Sequence, residues 1–310
     1  MNKNSIDYTR VNQEKLNRGL KNFEFPPVIV IDTISHCNLK CSKCPHREFK
    51  RRPGIMSWVL YKKIVNEIAE KKPDARVWIT FSGEGGILKD LPEKIAYAKA
   101  MGLTDIAFNS NGTLLNEAFS KRLVLAGLDT LMVGIDAFTD KTYRKIRVGG
   151  DLEKAVANVL LYKRLLAEHG RENQSLSVQL IQMPENEHEL DDFVAFWTDH
   201  GVTIKIKPML SWINNVEAEN LLQNEDRLPC YWLCSVMAIT DTGHVAFCGA
   251  DLECGMPMGD ASVNSLEQIW NDRLKTMRHM HLYGEWEKLP EMCAKCNDWQ
   301  SGYAKVHEKE

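Results

Sequence analysis

No uninterrupted apolar run of about 18 residues occurs in this chain, so nothing in it reads as a transmembrane helix. Its first 25 residues are polar and charged and lack the apolar h-region of a secretory signal, so a cytoplasmic protein is expected. A basic excess is missing as well. The 39 Lys and Arg stand against 42 Asp and Glu, a net charge of −3, which advertises no face for nucleic acid or for an anionic membrane. There is no internal repeat and no low-complexity tract. With 44% hydrophobic and 26% charged residues among 310, the chain reads as globular, one large domain or two ordinary ones. Cysteine is absent from the whole middle of the sequence. The nine present fall in two groups, Cys37, Cys41 and Cys44, then Cys230, Cys234, Cys248, Cys254, Cys293 and Cys296. In a protein that is not exported, clustered cysteines are read as metal ligands or reactive thiols and not as disulfides, which here means two sites.

Between the groups the pattern alternates regularly. Residues 28–33 (VIVIDT) form a short β-branched apolar run, hence a buried strand, and the first cysteines follow it at once. Ser57 is placed to N-cap a helix over 57–71. Strands are then expected over 77–81, 105–109, 130–136, 176–182 and 202–207, with helices over 91–101, 116–126, 152–169 and 188–200. Gly102, Gly127, Gly170 and Gly201 sit just past those four helices, where left-handed caps are expected. Six strands alternating with five helices imply parallel βαβ units, too few for a closed eight-fold barrel, so an open partial barrel is predicted. Chemistry in such folds gathers at the C-terminal ends of the strands. Two other polar junctions lie at such ends, Ser82-Gly83-Glu84-Gly85-Gly86 and Ser110-Asn111-Gly112-Thr113. After Pro208 the rhythm changes to a polar connector, a hairpin over 237–248 turning at Asp241-Thr242-Gly243, and a helix over 265–280.

A [4Fe–4S] cubane normally takes four thiolates, one per iron. Cys37-x3-Cys41-x2-Cys44 supplies three and leaves one iron open to chelate a small molecule, which is what reductive cleavage of S-adenosylmethionine (SAM) requires. A zinc site completed by His36 or His46 is the competing reading. The spacing, the position after the first strand and the βα pattern that follows resemble the radical SAM superfamily. That resemblance implies further roles. The segment with Gly83 and Glu84 corresponds to the Gly-Gly-Glu-Pro run that meets the SAM amino group, with Gly85 in place of proline. Ser110 and Asn111 lie in the counterpart of a turn beside the SAM ribose or methionine. Gly134-Ile135-Asp136 matches a Ser-x-Asp, with glycine where a serine would contact ribose, and Asp136 is carried over with Arg147 from a Tyr-x-x-Ile-Arg stretch. For Arg144 and Arg147 a solvated helix surface is an equal alternative.

The rear group, Cys230-x12-Gly243-x4-Cys248 with Cys293-x2-Cys296, resembles the SPASM/Twitch extension of radical SAM enzymes, the shorter Twitch form holding one auxiliary [4Fe–4S] cluster. The resemblance implies Cys230, Cys248, Cys293 and Cys296 as its ligands; a zinc ribbon is the alternative. Cys234 is expected to pack, and Cys254, in an acid- and Gly-flanked loop, to be either inert or chemically active. His279 and His281 are expected to sit at the negative end of a helix. The fold class expected is α/β, an open partial (βα)6 TIM barrel over 26–215 after an extension over 1–25, followed by a small α+β Twitch-like iron–sulfur domain over 216–310.

The resemblance implies a 5′-deoxyadenosyl radical that takes hydrogen from carbon of a polar, sugar- or aminocyclitol-like substrate, most simply for dehydrogenation, with the auxiliary cluster accepting an electron. An epimerase with Cys254 as hydrogen donor, a peptide maturase and a non-catalytic iron–sulfur electron carrier are the rivals. Against the maturase, the extension over 1–25 shows no alternating strand pattern for a leader-binding module. An electron donor such as flavodoxin or ferredoxin is the expected partner, with no nucleic acid and no membrane.

Overall fold

The computed structural model describes residues 6–8, 24–217 and 227–302. Its strands are β1 (Ile6–Tyr8), β2 (Val28–Ile31), β3 (Arg76–Trp78), β4 (Asp105–Ser110), β5 (Thr130–Gly134), β6 (Ser175–Gln182), β7 (Thr203–Pro208), β8 (Val236–Ile239), β9 (His244–Val245) and β10 (Gly259–Asp260). The helices are α1 (Trp58–Lys71), α2 (Leu91–Ala100), α3 (Glu117–Ala126), α4 (Asp140–Ile146), α5 (Leu152–Glu168), α6 (Leu190–Asp199), α7 (Tyr231–Ser235), α8 (Leu266–Asn271), α9 (Arg273–Leu282) and α10 (Glu291–Ala294). All strands belong to one sheet in the order β1-β7-β6-β5-β4-β3-β2-β8-β9-β10, with β2 to β7 parallel to their neighbours. This is the partial barrel anticipated from the βα alternation.

Local chemistry explains where the elements begin and end. Ser57, Asn116 and Asp151 each accept a backbone N–H of the first turn of α1, α3 and α5. Gly127 closes α3 at φ 85°, a conformation that favours glycine. The strands stop two or three residues short of the expected ends at residues 33, 81 and 136. There the side chains of Asp32, Thr33 and Asp136 and the turn after β3 take over the hydrogen bonding. The helix expected over 265–280 is two helices. Asp272 leaves helical geometry (φ −98°, ψ −116°), and the Arg278 guanidinium donates to the buried Trp270 carbonyl at 2.8 Å while lying 3.7 Å from the centre of the Trp270 ring. The short helix α4 lay below the reach of periodicity, and Ile6–Tyr8 pairs as a parallel edge strand with β7.

Alternate strand residues face opposite layers. Ile29, Ile31, Val77, Met237 and Ile239 pack outward against Ile64, Val65 and Ile68 of α1, in the main core. Val30, Val236, Ala238 and Ala246 form a second apolar cluster on the inner side of the sheet, joined by Trp78, Phe81 and Cys254. The rear hairpin is continuous with the barrel sheet, because β8 pairs parallel with β2 from Val28↔Val236 to Ile31↔Ile239.

Candidate functional site

The loop leaving β2 carries Cys37, Cys41 and Cys44, all partly buried. Lys40 N donates to Val148 O at 2.9 Å and Ser42 N to Ile146 O at 2.8 Å, so the loop is fastened to the end of α4. On its other side Glu84 N donates to His36 O at 2.8 Å. Asn38 ties the loop to the turn after β4, accepting from Asn111 Nδ2 at 2.9 Å and donating to Thr113 Oγ1 at 3.0 Å. Gly83 runs so close beneath the cysteine loop that a Cβ would stand 2.7 Å from the His36 carbonyl oxygen and nearer still to that of Ile34. The three turns after β2, β3 and β4 therefore form one cluster at one end of the barrel. His46 spends Nε2 on the Ser35 carbonyl at 2.7 Å and His36 is exposed. Among the described residues no three His, Cys, Asp or Glu side chains gather around a single metal ion. Three thiols on one short loop suit a cubane with one open iron.

Glu84 is buried and accepts three hydrogen bonds, at Oε1 from Gly86 N (2.9 Å) and Ser110 Oγ (2.8 Å) and at Oε2 from Asn111 N (2.7 Å). Burial pushes its carboxyl pKa upward against those donors. A carboxylate has about four acceptor sites, so room remains for one cationic donor.

Arg147 follows α4 and separates from Arg144, which is exposed and pairs with Asp140. Arg147 turns inward, with Nη2 2.5 Å from Asp136 Oδ2 and Nη1 3.9 Å from Cys41 Sγ. Burial alone would lower its pKa; Asp136, Cys41 and Tyr143 outweigh it and hold the guanidinium charged. Asp136 adopts φ 61° and accepts Ile181 N at 2.8 Å through Oδ1. A Cβ at Gly134 would stand 3.1 Å from Arg147 Cζ. The glycine that replaces the expected serine is thus the space that Arg147 occupies.

The rear cysteines converge elsewhere. Cys230, Cys248, Cys293 and Cys296 line one cavity of about 350 Å³, part of it open to solvent, with Arg227, Phe247, Asp298 and Trp299 among its walls. Cys234 and Cys254 are not part of that lining. Four thiols around one void fit a cubane with every iron ligated. Cys230 precedes β8 and Cys248 follows the antiparallel β9, so this cavity lies toward the start of β8, whereas the front loop leaves the other end of the paired strand β2. Two groups beside Cys293, the cavity-lining Arg227 and the neighbouring His281, gave no metal-site signal in the sequence pattern. His281, fully buried, stands with Nε2 3.2 Å from Cys293 Sγ, and Arg227 Nη2 stands 3.7 Å from the same sulfur. As expected, His279 and His281 both lie in the last turn of α9; His279 is exposed, while His281 is turned inward and buried. Burial, then Arg227, lowers the His281 pKa to about 3.

Cys254 takes φ 55° and packs with Val30, Ala238 and Ala246 on the inner side of the sheet. Its neighbour Glu253 accepts Lys50 N (2.7 Å) and Arg51 N (3.0 Å). Arg51 in turn joins the two halves of the chain, pairing with Asp241 of the hairpin turn at 2.5 Å and Asp32 after β2 at 2.8 Å. Burial pushes the Cys254 thiol up to about 12, as it does Cys37 and Cys230, and pushes Cys44 up to about 11. Without metal these thiols keep their protons, so cluster assembly must release those of Cys37, Cys44 and Cys230 but not that of Cys254. No helix among the described residues is long and apolar enough to cross a membrane.

Residues 31–196 match the family model of the radical SAM superfamily, and residues 230–297 match that of the SPASM iron–sulfur cluster-binding domain. Among curated proteins, a probable GTP 3′,8-cyclase of Methanococcus maripaludis is 38% identical over 119 residues, 38% of this chain and 39% of that one. The mycofactocin maturase MftC of Mycobacterium ulcerans is 28% identical over 193 residues, 62% of this chain and 49% of that one. The chain spans 39% to 55% of the length of the first curated relatives it matches. Among solved structures, BtrN in complex with AdoMet and 2-DOIA superposes with a TM-score of 0.61 at 18% identity, covering 87% of this chain and 92% of that one. SuiB of Streptococcus suis bound to precursor peptide SuiA gives 0.67 at 13% identity, covering 93% and 73%. Since the first family model spans more than half of a chain that folds as a partial barrel with a three-cysteine loop at its mouth, this protein belongs to the radical SAM superfamily, and its SAM-binding [4Fe–4S] cluster is joined by a C-terminal SPASM iron–sulfur domain.

Proposed function

We propose that the protein is a radical SAM oxidoreductase that dehydrogenates a carbon centre of a polar, sugar- or aminocyclitol-like small molecule. Cys37, Cys41 and Cys44 hold the front cluster, Cys230, Cys248, Cys293 and Cys296 the auxiliary one, and Gly83, Glu84, Ser110, Asn111, Asp136 and Arg147 line the SAM pocket. When bound, SAM on the front cluster supplies a 5′-deoxyadenosyl radical that removes hydrogen from carbon, and the auxiliary cluster supplies an acceptor for the second electron. The residues do the rest. Glu84 offers its remaining acceptor site to an ammonium, Asn38 and Asn111 fix the cysteine loop against the pocket, and the inner apolar cluster around Val30 excludes water. The observation that carries this reading is the four-cysteine cavity, separate from the front triplet yet on the same sheet.

Epimerisation is the second reading, favoured by Cys254. A hydrogen-atom donor must be a thiol and not a thiolate, and must approach the substrate carbon from the side away from the radical. Cys254 stands on the inner side of the sheet, outside the cavity lining, with its proton held. The test is the product formed by reduced, reconstituted enzyme from a panel of amino sugars and cyclitols. A product lighter by two hydrogens, with Cys254→Ala still active, supports dehydrogenation. An isomeric product that gains one deuterium in heavy water, and is lost in Cys254→Ala, establishes epimerisation. Absence of any SAM cleavage would reduce the protein to an electron carrier.

A further inference from the structure

Cys293 Sγ is the rear sulfur approached by two nitrogen-bearing side chains among the contacts described, those of His281 and Arg227. His281 belongs to α9 and Arg227 to the segment before α7, and both direct ring or guanidinium nitrogens at the same atom. The tautomer of His281 follows from its second contact. Cys230 N–H donates to Nδ1 at 3.2 Å, so Nδ1 is the acceptor and carries no proton. A neutral imidazole then bears its single proton on Nε2, and Nε2–H points at Cys293 Sγ, 3.2 Å away. Arg227 is oriented independently, donating to Ala294 O and Cys293 O at 2.7 Å each and lying 5.4 Å from the centre of the Trp286 ring. By contrast Cys296 Sγ receives a backbone donor, Asp298 N at 3.3 Å. One histidine therefore reaches two of the four cavity cysteines, Cys230 through its backbone and Cys293 through its sulfur.

We propose that His281 Nε2–H, backed by the Arg227 guanidinium, donates to the Cys293 thiolate and thereby raises the reduction potential of the auxiliary cluster. Reduction adds negative charge that is shared with the thiolates, and a donor fixed on one of them stabilises the reduced form more than the oxidised form. Both are positioning residues: neither is a ligand and neither meets substrate. The inference rests on Cys293 being a cluster ligand, as proposed above.

The experiment uses the full chain with Cys37, Cys41 and Cys44 changed to Ala, so that only the rear cluster is observed, and follows its EPR signal in a redox titration. In that background His281→Leu is expected to lower the midpoint by about 59 mV, a tenfold change in a one-electron equilibrium, at unchanged iron content. His281→Gln, whose amide can accept from Cys230 N–H and donate to Cys293, is expected to restore it. A potential indifferent to His281→Leu at full iron content overturns the inference and leaves the ligand assignment standing. A rear site without iron in the parent overturns both. Should His281→Leu fail to hold a cluster, pulsed EPR of the parent with ¹⁵N-labelled histidine decides. A weak histidine nitrogen coupling and an exchangeable proton coupling on the reduced cluster support the hydrogen bond, and their absence overturns it.

Discussion

Gly134→Ser tests the front pocket more sharply than removal of a cysteine. The new Cβ would stand 3.1 Å from Arg147 Cζ and inside contact distance of Nη2. An arginine tip is ordinarily free to swing aside, but this one is pinned to Asp136 at 2.5 Å, and the Asp136 side chain is only 3% exposed. Stripping one partner from a buried ion pair costs about 3–5 kcal/mol. Displacement falls at the lower end, and for a chain of 310 residues about 3 kcal/mol corresponds to a fall of about 5 °C in Tm. Scanning fluorimetry of reconstituted protein under anaerobic conditions reads this directly. Arg147→Met has its own cost but removes the obstacle, so adding Gly134→Ser to it is expected to lower Tm by no more than about 1 °C, within the additivity of independent sites. Equal drops in both backgrounds, or no drop with Arg147 present, would refute the claim that Gly134 makes space for the guanidinium.

Two further outcomes follow from the cysteines. Anaerobic reconstitution is expected to load about eight irons and eight sulfides, and Cys37, Cys41 and Cys44 changed together to Ala about four, by iron and sulfide assay. Four in the wild type would leave the rear cavity without a cubane. For the metal-free chain, burial raises the folded pKa of Cys37, Cys44, Cys230 and Cys254 from 9.0 to about 11–12. The unfolded chain then loses protons first, so the contribution of these thiols to stability is flat below pH 9 and falls as pH rises from 9 toward 12. Urea midpoints across that range check the sign; in the loaded protein the ligating thiols drop out of the effect because they carry no proton in the folded state.

Much of the barrel was legible because its signals are local. Val28–Ile31 announces a buried strand by composition, and Ser57, Asn116 and Asp151 announce helix starts by the side-chain oxygens they offer. The front loop was legible because its three cysteines are close in sequence. What escaped was non-local. Nothing near Arg51 reveals that it will bridge Asp32 and Asp241, and nothing near His281 reveals Cys230 and Cys293. Arg144 and Arg147, three residues apart, could not be told apart until the end of α4 turned one outward and the other toward Cys41. The break at Asp272 was hidden because apolar spacing runs across it, while the cover for the Trp270 carbonyl comes from Arg278.

The pairing of β2 with β8 has a consequence for biosynthesis. On a ribosome β2 emerges among the first elements of the barrel and β8 among the last, so one flank of β2 stays unpaired while everything between them is made. An open strand edge is a template for the wrong partner, and pairing across so long a loop is slow. The nascent barrel is thus a species for chaperones to shield, and completion of the sheet waits on the C-terminal hairpin. A chain cut before residue 236 would bare the backbone of residues 28–31, and the expected fate of such a fragment is association through that edge, not a smaller working barrel.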